Sequence, residues 1–140
     1  MTTEKENMQR IGECAEEIAK AGLDIKAIKL NPDKPFVWAS GYQMPIYNDN
    51  RMFLGNARNR DMIAEGFQNL MTSIEFENRD IYFSIIAGTS TAGISPATTL
   101  ADWSYIKKPL IYVRDKPKDH GLRNQIEGID AESDLQGKRV

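Results

Sequence analysis

The sequence predicts an α/β fold in which helices flank an open, mostly parallel sheet. Two apolar runs without polar alternation, at residues 81–87 and 109–113, are typical of strands that are covered on both faces. A helical pattern from about residue 95 to residue 106 separates them, so the order strand, helix, strand indicates a parallel crossover. The 140 residues are enough for one domain with a buried core.

The first half of the chain is predicted to hold two amphipathic helices. Apolar residues recur at steps of three and four over residues 4–21 and 54–74, which is the helical period. Gly22 is expected to end the first helix, because glycine favours the position after a helix C-terminus. Between the helices, short strands are predicted at residues 25–30, 36–39 and 45–48.

The second half is predicted to continue with a tight loop, a third helix and two strands. Ser95 is expected to cap that helix, and Pro96 to occupy its first position. Residues 137–140 have the pattern of the start of another strand. Since a buried strand usually runs about five or six residues, we expect the sequence to be the N-terminal part of a longer protein.

Composition excludes several classes of partner. The net charge of -2 argues against general adhesion to nucleic acid, so an anion site has to be local. The single cysteine, Cys14, is compatible with a reducing cytoplasm. Neither a secretory leader nor an apolar run long enough to cross a membrane is evident, and we expect a cytoplasmic protein. One cysteine and one histidine, far apart, provide no metal-ligand spacing.

Residues 114–128 form a cationic segment at the end of the strand ending at Val113. Arg114 offers a planar fork to phosphate, Lys116 and Lys118 are point charges, and His120 titrates near neutrality. The C-terminal ends of strands in an open α/β sheet are where ligands bind. The alternative is a solvated surface loop, which is the commoner fate of charge clusters.

Residues 88–93 form a small-residue loop between a buried strand and a helix. Such a loop presents backbone N–H groups to a phosphate, and the hydroxyls of Thr89, Ser90 and Thr91 add donors. It is not a Walker A loop, since no Gly-Lys-Ser/Thr follows. A tight turn with no ligand explains the composition equally well.

Residues 36–51 carry aromatic side chains around Ser40 and Gly41. They are suited to framing a planar ring, but an ordinary hairpin whose aromatic residues pack on the core explains the pattern more simply.

Together, three segments resemble the orotate phosphoribosyltransferases, which belong to the type I phosphoribosyltransferases. They are FVWASGYQMPIYNDNR (36–51), IIAGTSTAGISPATTLAD (85–102) and YVRDKPKDHGLRNQIEG (112–128), and the match spans roughly residues 25 to 140. The resemblance implies a type I phosphoribosyltransferase-like parallel sheet with flanking helices and an N-terminal hood, truncated at the start of a core strand. It implies one incomplete domain, with the N-terminal helix and hood strands in about 1–50 and a partial α/β core in about 54–140.

The activity implied by the resemblance is transfer of 5-phosphoribosyl from phosphoribosyl pyrophosphate (PRPP) to orotate. The products are orotidine 5′-monophosphate and pyrophosphate, in de novo pyrimidine biosynthesis, with Mg²⁺ bound through PRPP. The resemblance also implies a cytoplasmic homodimer whose mobile loop is shared between subunits, with neither nucleic acid nor a membrane as partner.

The resemblance also assigns site residues. Lys118 and His120 match the catalytic residues of the mobile loop and, with Arg114, those that contact PRPP. The pyrophosphate-binding loop comprises Gly88, Thr89, Ser90, Thr91, Ala92 and Gly93, and the orotate side of the hood comprises Ser40, Gly41, Ile46 and Tyr47. No protein ligand to a metal is implied.

Departures from the family pattern leave alternatives open. Ala39, Ala92 and Asp115 stand where some members have basic residues. The acidic pair and Thr/Gly loop that bind ribose 5-phosphate are expected just after Val140, so we expect the 140-residue chain alone to be inactive. One alternative is a non-catalytic nucleotide-binding regulator with a phosphoribosyltransferase fold. Another is a binding module that uses its basic loop on a partner protein.

Overall fold

A computed structural model of the chain describes residues 4–78, 80–103, 106–117, 124–129 and 132–140. The α-helices are α1 (Glu4–Asp24), α2 (Ala57–Glu77) and α3 (Ile94–Asp102), and 3-10 helices span Asn50–Gly55 and Glu132–Leu135. The strands are β1 (Ile28–Leu30), β2 (Phe36–Val37), β3 (Gln43–Met44), β4 (Ile46–Asn48), β5 (Ile86–Thr89), β6 (Leu110–Val113) and β7 (Ile126–Glu127).

A three-stranded sheet in the order β5-β6-β7 forms the centre of the second half. β5 and β6 run parallel and α3 connects them, which confirms the predicted α/β class and the parallel crossover. β7 pairs antiparallel with β6. β7 was not predicted, because a two-residue strand is too short to show a period of two.

Two small antiparallel sheets lie in the N-terminal half. β1 pairs with β4, and β2 pairs with β3. The segments predicted as strands at 36–39 and 45–48 therefore pair with different partners rather than with each other. Between β2 and β3 the chain turns at Gly41, whose φ of 85° lies in the left-handed region that favours glycine.

The buried core joins α3 to the parallel strands. Its buried members are Ile86, Ala97, Leu100 and Ala101, and Met71, Ile106 and Leu110 pack around them. Small side chains four residues apart, Ala97 and Ala101, let α3 approach the sheet closely. This contact fixes where the N-terminus of α3 lies relative to the end of β5.

The prediction that Gly22 ends the first helix is wrong. α1 continues to Asp24, and Gly22 is a buried residue within it. A Cβ at Gly22 would lie 2.9 Å from Cδ1 of Ile28 and 3.3 Å from the Phe53 ring. The glycine allows β1 and the 3-10 helix at 50–55 to pack against the end of α1.

The predicted start of the third helix is also corrected. Gly93, with a right-handed helical φ, precedes the first residue Ile94, so Ser95 lies within the first turn rather than at the cap. The helix ends at Asp102, four residues before the predicted end. Its N-terminus consequently begins directly at the small-residue loop.

Two strand predictions are only partly met. The predicted strand at 81–87 is assigned only from Ile86, and Tyr82 is 65% exposed, so the run is not covered on both faces. Residues 137–140 contain no assigned strand. The carbonyl of Arg139 nevertheless accepts hydrogen bonds from the N–H groups of Ser84 (2.8 Å) and Ile85 (3.3 Å), on the N-terminal extension of β5.

Among the helices in the described part of the chain, none combines the length and apolarity needed to cross a membrane.

Candidate functional site

The C-terminal ends of β5 and β6 place two of the sequence segments side by side. The parallel register pairs Thr89 with Val113, and the N–H of Ser90 donates to the carbonyl of Val113 at 2.7 Å. Arg114 follows Val113 directly, so it leaves the sheet beside the loop that begins at Ser90. Residues far apart in sequence thereby meet at the edge where open α/β sheets bind ligands.

The loop after β5 is tighter than the sequence predicted, because Gly88 and Thr89 belong to the strand itself. A Cβ at Gly88 would lie 2.6 Å from the carbonyl oxygen of Gly93. A Cβ at Gly93 would lie 2.7 Å from the amide nitrogen of Thr89. The backbone at these two positions is therefore too close for any residue with a Cβ atom, so both have to be glycine. A hydrogen bond from Gly93 N–H to the Thr89 carbonyl (2.9 Å) closes the loop.

The exposed side of this loop carries hydrogen-bond donors. Thr91 and Ala92 are exposed, and within the described residues their N–H groups donate no hydrogen bond. They lie immediately before α3, whose N-terminus carries a partial positive charge. Free amides at such a position favour an anionic ligand, with a phosphate group as the usual example.

Arg114 is held on one face of the sheet beside this loop. Its Nε lies 3.6 Å from Oε1 of Glu127, and its guanidinium carbon lies 5.5 Å from the centroid of the Tyr112 ring. The side chains of Arg114 and Glu127 are only 30% and 21% exposed. The Arg114 N–H donates to the carbonyl of Gln125 at 2.9 Å, which closes the base of the basic segment.

The remaining basic residues of that segment contribute less to the described geometry. Lys116 is exposed, and its N–H donates to Oδ1 of Asp115 at 2.9 Å. Lys118 and His120, the predicted catalytic residues, lie outside the described residues. The sites assigned to them stay predictions.

A cavity of about 570 Å³ lies between the N-terminal strands and the helices. It is lined by residues of α1, of β4 and the adjoining 3-10 helix with Asp49 between them, of α2, of the loop before α3 and of α3 itself: Ile18, Tyr47, Asn48, Asp49, Asn50, Arg51, Phe53, Leu54, Arg60, Ile63, Phe67, Ala92, Pro96 and Thr99. Tyr47 and Ala92, from two different sequence segments, therefore face one space. Its walls are mostly apolar with a few polar groups, as is usual for small-molecule sites.

The other predicted hood residues lie elsewhere. Ser40 and Gly41 are exposed at the turn between β2 and β3. Ile46 uses its carbonyl to accept a hydrogen bond from the indole N–H of Trp38 at 3.1 Å. Within the described residues, neither these three nor Arg114 line the cavity.

Asp49 and Arg51 form a polar feature of the cavity wall that the sequence analysis missed. Two hydrogen bonds join them, from Arg51 Nε to Asp49 Oδ1 (2.7 Å) and from Nη2 to Oδ2 (2.8 Å). The hydrogen bond from Arg51 lowers the pKa of the Asp49 carboxyl and raises that of the guanidinium. The Asp49 carboxylate also accepts a hydrogen bond from the Arg51 N–H at 3.2 Å. Aspartate side chains often bond the backbone two residues further on, so an aspartate two positions before an arginine was a sequence signal for this pair.

No family model matches the chain. The chain is 48% identical over 114 residues to the orotate phosphoribosyltransferase of Streptococcus gordonii, covering 81% of this chain and 51% of the relative. It is 50% identical over 111 residues to that of Bacillus pumilus, covering 79% and 49%. Over 79–81% of its length, the chain is therefore homologous to curated orotate phosphoribosyltransferases.

The chain spans about half the length of the curated relatives it matches.

Solved structures agree on the fold. The orotate phosphoribosyltransferase of Aeropyrum pernix superposes with a TM-score of 0.58 at 30% identity, covering 79% of this chain and 57% of that one. The UMP synthase of Leishmania donovani superposes with a TM-score of 0.60 at 25% identity, covering 82% and 22%. These matches confirm the α/β fold that the resemblance implies. The core strand expected to begin at residues 137–140 is not assigned as a strand.

Proposed function

We propose that this protein takes part in the orotate phosphoribosyltransferase reaction and that the edge formed by β5 and β6 binds the diphosphate of PRPP. The observation that carries the proposal is the hydrogen bond from Ser90 N–H to the Val113 carbonyl (2.7 Å). It joins the loop that bears the exposed Thr91 and Ala92 amides to the strand end from which Arg114 follows. Backbone donors and a guanidinium are the two groups that proteins commonly use for phosphate. The family relationship favours this reading of the edge over a ligand-free turn.

The chemistry suits such a site. The bond between C1 of the ribose and the diphosphate oxygen of PRPP breaks, and pyrophosphate leaves with the bonding electrons. A bond forms between C1 and N1 of orotate, and the N1 proton is released to solvent. Negative charge therefore builds on the leaving diphosphate, where preorganised donors stabilise the transition state. No covalent nucleophile on the protein is needed. Lys118 and His120 are proposed to add donors to the same group, on the family resemblance alone.

Mg²⁺ in this proposal enters bound to PRPP. In the described part of the chain, no three His, Cys, Asp or Glu side chains are grouped so that they can hold a metal ion. The available donors, amides and a guanidinium, suit phosphate oxygens rather than a cation. When bound, the ion supplies charge neutralisation to the diphosphate.

The cavity beside Tyr47 and Ala92 is the proposed place for the base. It opens between the N-terminal strands and the loop, and its volume of about 570 Å³ exceeds what a pyrimidine ring needs. Ser40, Gly41 and Ile46 are proposed to approach orotate only through the family resemblance. A homodimer that shares the basic segment, and a cytoplasmic location, belong to the same proposal.

Calorimetric titration of the chain with inorganic pyrophosphate, and with PRPP and Mg²⁺, tests the diphosphate site. Charge-assisted hydrogen bonds contribute about 1.5–3 kcal/mol, so Arg114→Ala should weaken pyrophosphate binding by about tenfold to a hundredfold. Arg58→Ala is the matched control, because Arg58 is exposed at the start of α2 and lies outside the cavity lining. Absence of pyrophosphate binding, or equal loss in both variants, contradicts the proposal. A separate assay of orotate depletion, in a mixture of the chain with PRPP, Mg²⁺ and orotate, tests the expected inactivity of the chain alone.

A further inference from the structure

Glu127 lies where it can control the orientation of Arg114. β6 and β7 are antiparallel, and Tyr112 pairs directly with Glu127. Side chains two positions apart on a strand share a face, so Arg114 lies on the same face as Tyr112 and diagonally across from Glu127. The 3.6 Å distance from Arg114 Nε to Glu127 Oε1 follows from this register.

The register itself is fixed by the backbone around β7. Gly128 has a φ of 102°, and a Cβ there would lie 2.7 Å from the carbonyl oxygen of Leu110. At Gly128 the backbone therefore lies so close to β6 that a residue with a Cβ atom would not fit there. On the other side, Nε2 of Gln125 donates to the carbonyl of Arg114 at 3.1 Å. Glu127 is thus held between two points of attachment to β6.

The environment of the pair strengthens the contact. Arg114 Nε and Glu127 Oε1 are both shielded from solvent, and the Tyr112 ring lies beside the guanidinium. Reduced contact with water strengthens a charge interaction relative to an exposed pair. The contact engages the Nε edge of the guanidinium, which leaves the donors on the two Nη atoms for a ligand.

We propose that Glu127 is a positioning residue that holds the Arg114 guanidinium with its Nη edge directed toward the diphosphate site. This inference rests on the proposed function and deepens it. A flexible arginine has to be ordered when it binds a ligand, and Glu127 and Tyr112 order it beforehand. Preorganisation of this kind raises affinity by lowering the entropic cost of binding.

The carboxylate of Glu127 also repels an anionic ligand, so removal of its charge has two opposite effects. Glu127→Asp separates them, because it keeps the charge while withdrawing the carboxylate by about 1.5 Å, the length of one C–C bond. The Nε to carboxylate distance then exceeds the roughly 4 Å limit of an ion pair. Positioning predicts weaker ligand binding in this variant, whereas repulsion alone predicts no change.

The test is calorimetric titration of the whole chain with inorganic pyrophosphate, combined with the ¹⁵Nε–¹H signal of Arg114 in NMR spectra. We expect Glu127→Asp to raise the Kd for pyrophosphate about tenfold, within the range of coupling between contacting residues, and to shift or broaden the Arg114 signal. In the Arg114→Ala background, Glu127→Asp should leave the Kd unchanged. Glu13→Asp is the matched control, since Glu13 accepts a hydrogen bond on the exposed face of α1.

Each outcome bears on a separate claim. An unchanged Kd in Glu127→Asp, or an equal effect of this variant with and without Arg114, overturns the positioning role. If the native chain binds no pyrophosphate, the proposed function fails, and the ligand-directing part of this inference fails with it. The Arg114 signal then still decides whether Glu127 holds the guanidinium, because that readout needs no ligand.

Discussion

Replacement of Gly88 by alanine should damage the fold and the diphosphate site together. The added Cβ would lie 2.6 Å from the Gly93 carbonyl oxygen and 2.9 Å from Cβ of Ala97. To reach ordinary contact at 3.4 Å, the carbonyl has to move by about 0.8 Å. It cannot move independently, because it accepts the hydrogen bond from Ala97 N–H (3.2 Å) that begins α3.

The magnitude follows from the crowding of a packed region. Overpacking of this kind typically costs about 1–3 kcal/mol. For a chain of this size each kcal/mol lowers Tm by about 3–5 °C, so Gly88→Ala should lower Tm by about 3–15 °C. The displaced loop should also bind pyrophosphate more weakly, since misplaced amides no longer converge on one anion.

Gly12→Ala is the matched control within the same chain. Gly12 is exposed in the interior of α1, and a Cβ there meets no atom within 4 Å. Alanine favours helix over glycine by about 0.5–1 kcal/mol, so this variant should raise Tm by a few degrees.

Thermal unfolding followed by circular dichroism at 222 nm, with urea denaturation as a second measurement, compares the two variants. The expected signs are opposite, which separates local crowding at Gly88 from a general effect of the substitution. A Gly88→Ala variant as stable as the native chain, with unchanged pyrophosphate affinity, would show that the close approach of Gly88 and Gly93 is not required.

Two further predictions concern titratable groups. The Asp49 carboxyl has a lowered pKa because Arg51 donates to it, so its contribution to stability is present above the unfolded pKa of about 3.9 and is lost as pH falls through the folded value. The Tm difference between the native chain and Asp49→Asn should therefore shrink below about pH 4 in melts recorded from pH 3 to pH 7, and a constant difference contradicts this account. Burial, followed by the charges of Glu65 and Glu17, raises the pKa of the Cys14 thiol. Iodoacetamide should consequently alkylate Cys14 more slowly at pH 7.5 in the folded chain than in urea, as measured by mass spectrometry; equal rates count against a protected thiol.

Helix periodicity was the most reliable guide to the fold. α1 and α2 were predicted because their apolar residues recur every three or four positions, a pattern visible within a short stretch of sequence. The parallel arrangement of β5 and β6 was predicted from the helix between them. Helix ends were less well predicted, because Gly22 and Ser95 are each compatible with two local structures and distant contacts select between them.

The candidate site was predicted in its parts rather than in its assembly. The residues 88–93 and Arg114 were selected because small, hydroxylated and cationic residues suit phosphate, and the structure places these two segments at one edge. The shared cavity was missed, since it depends on contacts among α1, α2, α3 and β4. The Asp49–Arg51 pair was missed although it joins residues only two positions apart.

The sequence by itself determined the fold class, the small-residue loop, the cationic segment and the resemblance to orotate phosphoribosyltransferases, since each is recorded in local composition and order. The tertiary structure decided which strands pair and which contacts exclude a Cβ atom at Gly22. It also placed Tyr47 and Ala92 at one cavity and brought Glu127 into contact with Arg114. The physical reason is that pairing and register depend on the simultaneous packing of distant segments. The close approach of Gly128 to Leu110 illustrates this, because it fixes the position of Glu127 and carries no local signal.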